Sequence, residues 1–88
     1  MNLYNCKVGD IVLTGDSYGM DVCVCIKERH FDLDYGFDVV TFLDMADGGV
    51  HKSGASNDFC SYLDDCHFIK SIKPEYVENI KKAWNITE

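Results

Sequence analysis

Basic residues are scarce in this chain. Eight lysines and arginines stand against fifteen aspartates and glutamates, a formal net charge of −7 over 88 residues. A field of that sign repels phosphate backbones, so direct nucleic-acid binding is not expected, and partners with basic surfaces are favoured. Long apolar runs are missing too: nothing approaches the ~20 residues of a membrane span, and no membrane partner is expected. The opening residues, Met1-Asn2-Leu3-Tyr4-Asn5-Cys6-Lys7, hold no basic region followed by an apolar stretch, so the chain reads as cytoplasmic. Apolar residues still make up 47% of the chain and aromatics 12%, which argues against disorder.

Metal-site spacing is absent. Cys23-x-Cys25 and Cys66-His67 lack the Cys-x2-Cys or His-x3-His pattern of structural zinc. Asp32-x-Asp34 followed by Asp38 lacks the glutamate and glycine placement of a calcium loop. Five cysteines (Cys6, Cys23, Cys25, Cys60, Cys66) are an odd count, which in a cytosolic chain reads as reduced thiols acting as small apolar residues. Nucleophilic catalysis needs a thiol near a base. Cys60 or Cys66 with His30, His51 or His67 supplies the residue types, but no spacing brings them together. No catalytic residue, metal or cofactor is therefore assigned, and the chain is read as non-enzymatic. The competing class is a zinc-stapled or thiol-dependent enzyme, with Cys23, Cys25 and Cys60 or Cys66 as a composite site.

What is present reads as one mainly β domain over residues 1–88. Two apolar runs, Val22 to Ile26 and Phe37 to Leu43, are β-branched, aromatic or Cys and are bounded by turn residues, the pattern of paired central strands. The polar stretch Lys27 to Gly36 joins them as a loop or an extension of the hairpin. Ile11-Val12-Leu13 follows the turn Lys7-Val8-Gly9-Asp10, and Leu3 to Lys7 suits a first edge strand. Thr14 to Gly19 reads as a loop. Asp44 to Gly49 is a hairpin-turn signal returning the chain as Val50 to Ser53. Phe59 to Leu63 fits either a strand or one tight helical turn, and Cys66 to Ile72 alternates as a last strand. Pro74, the only proline, opens a helix running to about Trp84. Val77, Ile80 and Trp84 give it one apolar stripe, which is expected to pack on the rest of the domain. Truncating Trp84 is then expected to cost roughly 3 kcal/mol.

The run Lys7-Val8-Gly9-Asp10-Ile11-Val12-Leu13 resembles the opening strand of Src-homology-3-like barrels of the Tudor and KOW type. The long strand pair, the Asp47-Gly48-Gly49 turn and the passage Leu63 to Ile69 are similar to the rest of that pattern over about residues 7–72. The resemblance implies a five-stranded barrel, with the helix at 74–84 packed on it, that binds protein tails or nucleic acid without catalysis. The aromatic cage of Tudor modules and the basic surface of KOW modules are both missing. A compact acidic chain without an enzyme motif also looks like the small orphan proteins of phages and mobile elements. Many of those block a host nuclease or other nucleic-acid enzyme by occupying its basic groove.

The charge excess lies in the middle. From Glu28 to Asp65 there are nine acids and two bases, which accounts for the whole excess of seven. Asp32, Asp34, Asp38, Asp44, Asp47, Asp64 and Asp65, with Asp58, flank the expected loops, and Tyr18, Phe31 and Tyr35 lie beside them as aromatic anchors. The function expected is non-catalytic binding to a basic protein surface, with inhibition of a nucleic-acid-handling enzyme as its sharpest form. The alternative is a cellular Tudor- or KOW-like interaction module. Both a monomer and a homodimer are compatible with the sequence.

Overall fold

The computed structural model describes residues 3–16, 19–54 and 67–87. Five antiparallel strands form one sheet: β1 (Asp10–Asp16), β2 (Gly19–Asp32), β3 (Phe37–Asp44), β4 (Val50–Gly54) and β5 (His67–Ser71). Their order is β4-β3-β2-β1-β5, so β1 to β4 form a meander and β5 returns beside β1. Among the described residues β4 and β5 are the two edges, and no ladder joins them into a closed barrel. The mainly β architecture with one C-terminal helix, α1 (Pro74–Ala83), is as the sequence indicates.

Two local expectations need correction, and one open alternative is decided. Leu3 to Asn5 is a short 3-10 turn rather than an edge strand. Strand β1 runs on to Asp16 and β2 starts at Gly19, which shortens the loop expected over Thr14 to Gly19. For Lys27 to Gly36 the loop alternative falls and the hairpin extension holds, because β2 continues through Asp32 and pairs Phe31 with Asp38 and His30 with Val39. The register shifts between Cys25 and Lys27 and again before His30, and such bulges re-aim a strand while keeping it paired. Phe59 to Leu63 and Cys66 lie outside the described residues.

Strand periodicity places apolar side chains on both faces of the sheet. On one face Cys23 and Cys25 of β2 pack with Val12, Val40 and Phe42 under Leu3, Tyr4 and Cys6 of the N-terminal turn. On the other, Val24, Ile26 and Leu43 pack with Val77 of α1 and with Val8, Ile11, Val50, Ile72, Ile80 and Ile86. Gly9 fixes the point where the chain crosses the end of β5. It sits at φ +98°, and a Cβ there would meet the Ile72 carbonyl. The buried Asp10 beside it accepts from the Lys7 N–H (3.0 Å) and from the Ser71 hydroxyl (2.6 Å), tying β5 to the start of β1.

Helix α1 begins at Pro74, whose missing N–H has no partner to lose in a first turn, and carries Glu75 early and Lys81 and Lys82 late, in line with its dipole. It ends in a Schellman arrangement: Asn85 takes φ 57°, its N–H reaches the Lys82 carbonyl (3.1 Å), and the Ile86 N–H reaches that of Lys81 (2.8 Å). The apolar stripe is unequal. Val77 is fully buried, whereas Trp84 is 44% exposed and lies across Gly48 in the β3–β4 turn. The anchor is thus Val77, which revises the weight expected of Trp84. Val77→Ala is expected to lower the unfolding free energy by about 2 kcal/mol and Trp84→Ala by about 1 kcal/mol, read from urea denaturation. A larger loss at Trp84 would contradict this packing order.

Candidate functional site

Strand β3 divides the acidic residues. Its eight residues put its ends roughly 23 Å apart at about 3.3 Å per residue. Phe31, Asp32, Asp34, Tyr35 and Asp38 lie at the β2–β3 end, and Asp44 and Asp47 at the β3–β4 end. Tyr18, Asp58, Asp64 and Asp65 lie outside the described residues, as do Cys60 and Cys66.

At the β2–β3 end two carboxylates already have partners. Asp32 is buried, and its Oδ1 accepts from the N–H groups of Asp34 (2.9 Å) and Tyr35 (3.0 Å), which builds the turn. Its Oδ2 takes the Lys52 ammonium of β4 at 2.9 Å. Asp38 pairs with Arg29 at 2.8 Å, and the Arg29 guanidinium lies 4.1 Å over the Tyr4 ring. Asp34, the third, is exposed, and its carboxylate is in no ion pair among the described residues. The aromatic residues do stand outward: Phe31 is 59% exposed, Leu33 89% and Tyr35 54%, with Tyr35 stacked on Phe37.

The β3–β4 end is different. Asp44 Oδ1 accepts from Ala46 and Asp47 Oδ1 from Gly49, both turn-building bonds, but neither residue has an ion pair among the described residues. Asp21 of β2 belongs to this end too, because β2 passes Asp44 at Cys23. Burial pushes the Cys23 thiol up to about 11, and the fields of Asp44, Asp21 and Asp47 push the same way against a hydrogen bond with Thr14. Asp44 pairs with Cys23, two residues along β2 from Asp21, and Asp47 follows in the β3–β4 turn, so the three carboxylates belong to one end of the sheet. Val22 (41% exposed) and Met45 (37%) are chain neighbours of Asp21 and Asp44, with Val22 alternating to the helix-bearing face, and Trp84 (44%) follows the helix on that face. The Met45 N–H bonds to the Val22 carbonyl, and Trp84 covers Gly48, which stands at φ +74°.

Sequence reasoning missed Asp21, Met45 and Trp84 as surface residues of this end. Asp21 lies outside the acid-rich window, and only the β2–β3 register brings it to Asp44. A signal was available for Trp84: the last position of a ten-residue stripe lies where a helix ends and its cover thins.

The chain matches no family model, no curated protein and no solved structure. Its surface chemistry thus rests on these residues alone. Among the described residues no helix is long and apolar enough to cross a membrane.

Two expectations concern groups with shifted proton affinity. The hydrogen bond from Lys52, with those from Tyr35 and Asp34, holds the Asp32 carboxyl below its ordinary 3.8 against the opposing effect of burial. A lowered carboxyl stabilises the fold above the unfolded value and loses that contribution as pH falls through the folded value. The thermal midpoint is expected to fall more steeply between about pH 4 and pH 2 in the wild type than in Asp32→Asn, which has no such proton to take up. Parallel acid limbs would contradict the pairing.

Burial also raises Cys25, to about 12, and thiolates are the reactive form. Cys6, Cys23 and Cys25 are buried thiols outside any disulfide. At most two of the five cysteines should react with a thiol reagent at pH 8 in the native chain, and all five after denaturation. Rapid native labelling of Cys23 or Cys25 would show that the layer beneath the N-terminal turn is open.

Proposed function

We propose that the chain is a non-catalytic binding module that docks on a basic protein surface through the exposed Asp21 and Asp47, at the end of the sheet where the buried Asp44 builds the turn. The observation that carries this reading is that Asp21, Asp44 and Asp47 share one end of the sheet, none in an ion pair among the described residues, and that Met45 and Trp84 are exposed at the same end. Tryptophan and methionine are enriched at interface centres, where apolar anchors supply most of the affinity. Carboxylates around them speed encounter with a basic partner and fix its register. The sharpest form of the proposal is occupation of the basic groove of a nucleic-acid-handling enzyme such as a nuclease. That is the mode of the phage and mobile-element inhibitors that the acidic composition resembles.

The finer fold reading, an SH3-like barrel, belongs with this proposal. Its support is the meander of β1 to β4, the return of β5 beside β1, and a long β2 bent by two register shifts. A barrel of that kind works as a scaffold for loops, and the cellular Tudor- or KOW-like alternative rests on the same topology.

The test is capture from a bacterial lysate on the immobilised chain, eluted by a salt gradient. A basic protein is expected to elute over a narrow window at moderate salt. The paired change Asp21→Asn with Asp47→Asn is expected to weaken its binding about tenfold and flatten the salt dependence, since an exposed charge steers association. Asp34→Asn, at the far end of β3, should leave binding unchanged, as should Cys23→Ser in a folded chain. Capture indifferent to salt, or unaltered by the paired change, would refute the acidic contact.

A further inference from the structure

The sheet face that carries α1 continues beyond it. Leu43 packs beneath the helix, and two residues back along β3 the same face presents Thr41. Thr41 pairs in register with Lys27 of β2 on one side and with Lys52 of β4 on the other. Directly opposed residues share a face, so a hydroxyl stands between two lysines. They line a depression of about 270 Å³ whose walls include His30, Phe31 and Leu33. In a chain of net charge −7 this is an unusual grouping.

Thr41 is 1% exposed, and its Oγ1 has no hydrogen-bond partner. A buried hydroxyl without a partner is costly, and few are left so. A hydroxyl flanked by ammonium groups lacks an acceptor, and ammonium groups can only donate. What would complete the set is an acceptor with several oxygens and a negative charge. The Lys27 ammonium pairs with no carboxylate among the described residues. Lys52 reaches Asp32 Oδ2 at 2.9 Å. The carboxylate of Asp32 opposes an anion least, since Lys52 offsets its charge and its Oδ1 already serves the Asp34 and Tyr35 N–H groups. The exposed carboxylate of Asp34 at the rim acts against an anion. The Nδ1 of His30 is committed to the Glu28 carbonyl at 2.7 Å.

We propose that this depression is a binding site for one small oxyanion, a phosphoryl or carboxylate group, held between Lys27 and Lys52 and accepting a hydrogen bond from the Thr41 hydroxyl. The lysine arms are its movable walls, and Phe31 and Leu33 provide apolar contact for whatever carries the anion. Thr41 lies mid-strand, three residues or about 10 Å from Asp44 along β3 and on the other face of the sheet, so the site is separate from the Asp21–Asp44–Asp47 carboxylates.

The test is titration of the isotopically labelled chain with inorganic phosphate and, separately, with acetate, at constant ionic strength, followed by amide chemical shifts. Saturable shifts at Lys27, Thr41 and Lys52 are expected. Thr41→Val should weaken binding at least tenfold and at the same time raise the melting temperature, because it removes the orphaned hydroxyl. Lys27→Gln, a change at an exposed side chain, should weaken binding by a similar factor without affecting the melting temperature. Asp34→Asn should tighten it. Tighter binding of phosphate assigns a phosphoryl ligand, and tighter binding of acetate a carboxylate. The proposal is overturned if neither anion saturates, or if both Thr41→Val and Lys27→Gln bind as the wild type does.

Discussion

Strand β2 has to serve two apolar layers at once, and the rest of the molecule follows from that. Its side chains alternate Cys23 and Cys25 to one face and Val24 and Ile26 to the other, all buried. A sheet with both faces apolar needs a cover on each. With 88 residues the covers come from the two ends of the described chain: the turn at Leu3 to Asn5 on one face and α1 on the other. Small residues at the centre of β2 let both covers approach closely. Past Ile26 the strand changes to Lys27, Glu28 and Arg29, which are exposed, and of the two covers Tyr4 of the N-terminal turn still reaches Arg29. The register shifts fall at that boundary, where the strand passes from doubly covered core to an open hairpin.

This explains which elements were legible in the sequence. Strands β3 and β4 and helix α1 were, because turn residues bound them and their periodicity comes from burial. The far half of β2 was legible only as one of two alternatives. Lys27 to Arg29 are polar throughout while Phe31 to Tyr35 alternate apolar and acidic residues, so the stretch reads equally as a loop or as a longer hairpin. The edge strand expected over Leu3 to Lys7 failed. Leu3 and Cys6 are buried by lying across a sheet face, and a segment that caps a face has no fixed period. Sheet closure depends on how the edges β4 and β5 approach one another, which no local pattern records.

The candidate site was legible in residue type but not in placement. An aspartate that builds a turn and one that faces a partner are the same letter. Asp10, Asp32 and Asp44 are buried and accept hydrogen bonds from nearby backbone N–H groups. Aspartate is favoured in turns for that reason, so an acid-rich window in a β-rich chain is partly a record of its turns. The excess charge therefore does not form one face. Strand β3 separates it into two groups, and cross-strand lysine and arginine offset one of them.

The two ends of β3 differ in how far their carboxylates are compensated, for one geometric reason. At the β2–β3 end the protruding hairpin sets Lys27, Arg29 and Lys52 beside the carboxylates, and the ion pairs Lys52–Asp32 and Arg29–Asp38 form across strands. At the other end the carboxylates come from β2 and from the β3–β4 turn, and the described ion pairs do not reach them. Negative field is thus concentrated where Trp84 and Met45 are exposed. Lys27 and Lys52 flank the unmatched hydroxyl of Thr41 on one face, whereas Arg29 lies on the other, over Tyr4. Local consistency is the rule in a folded sequence, and departures from it cluster where a ligand completes the structure. An uncompensated carboxylate group and an orphaned hydroxyl are departures of that kind, the first at the β3–β4 end and the second mid-strand on the opposite face of the sheet.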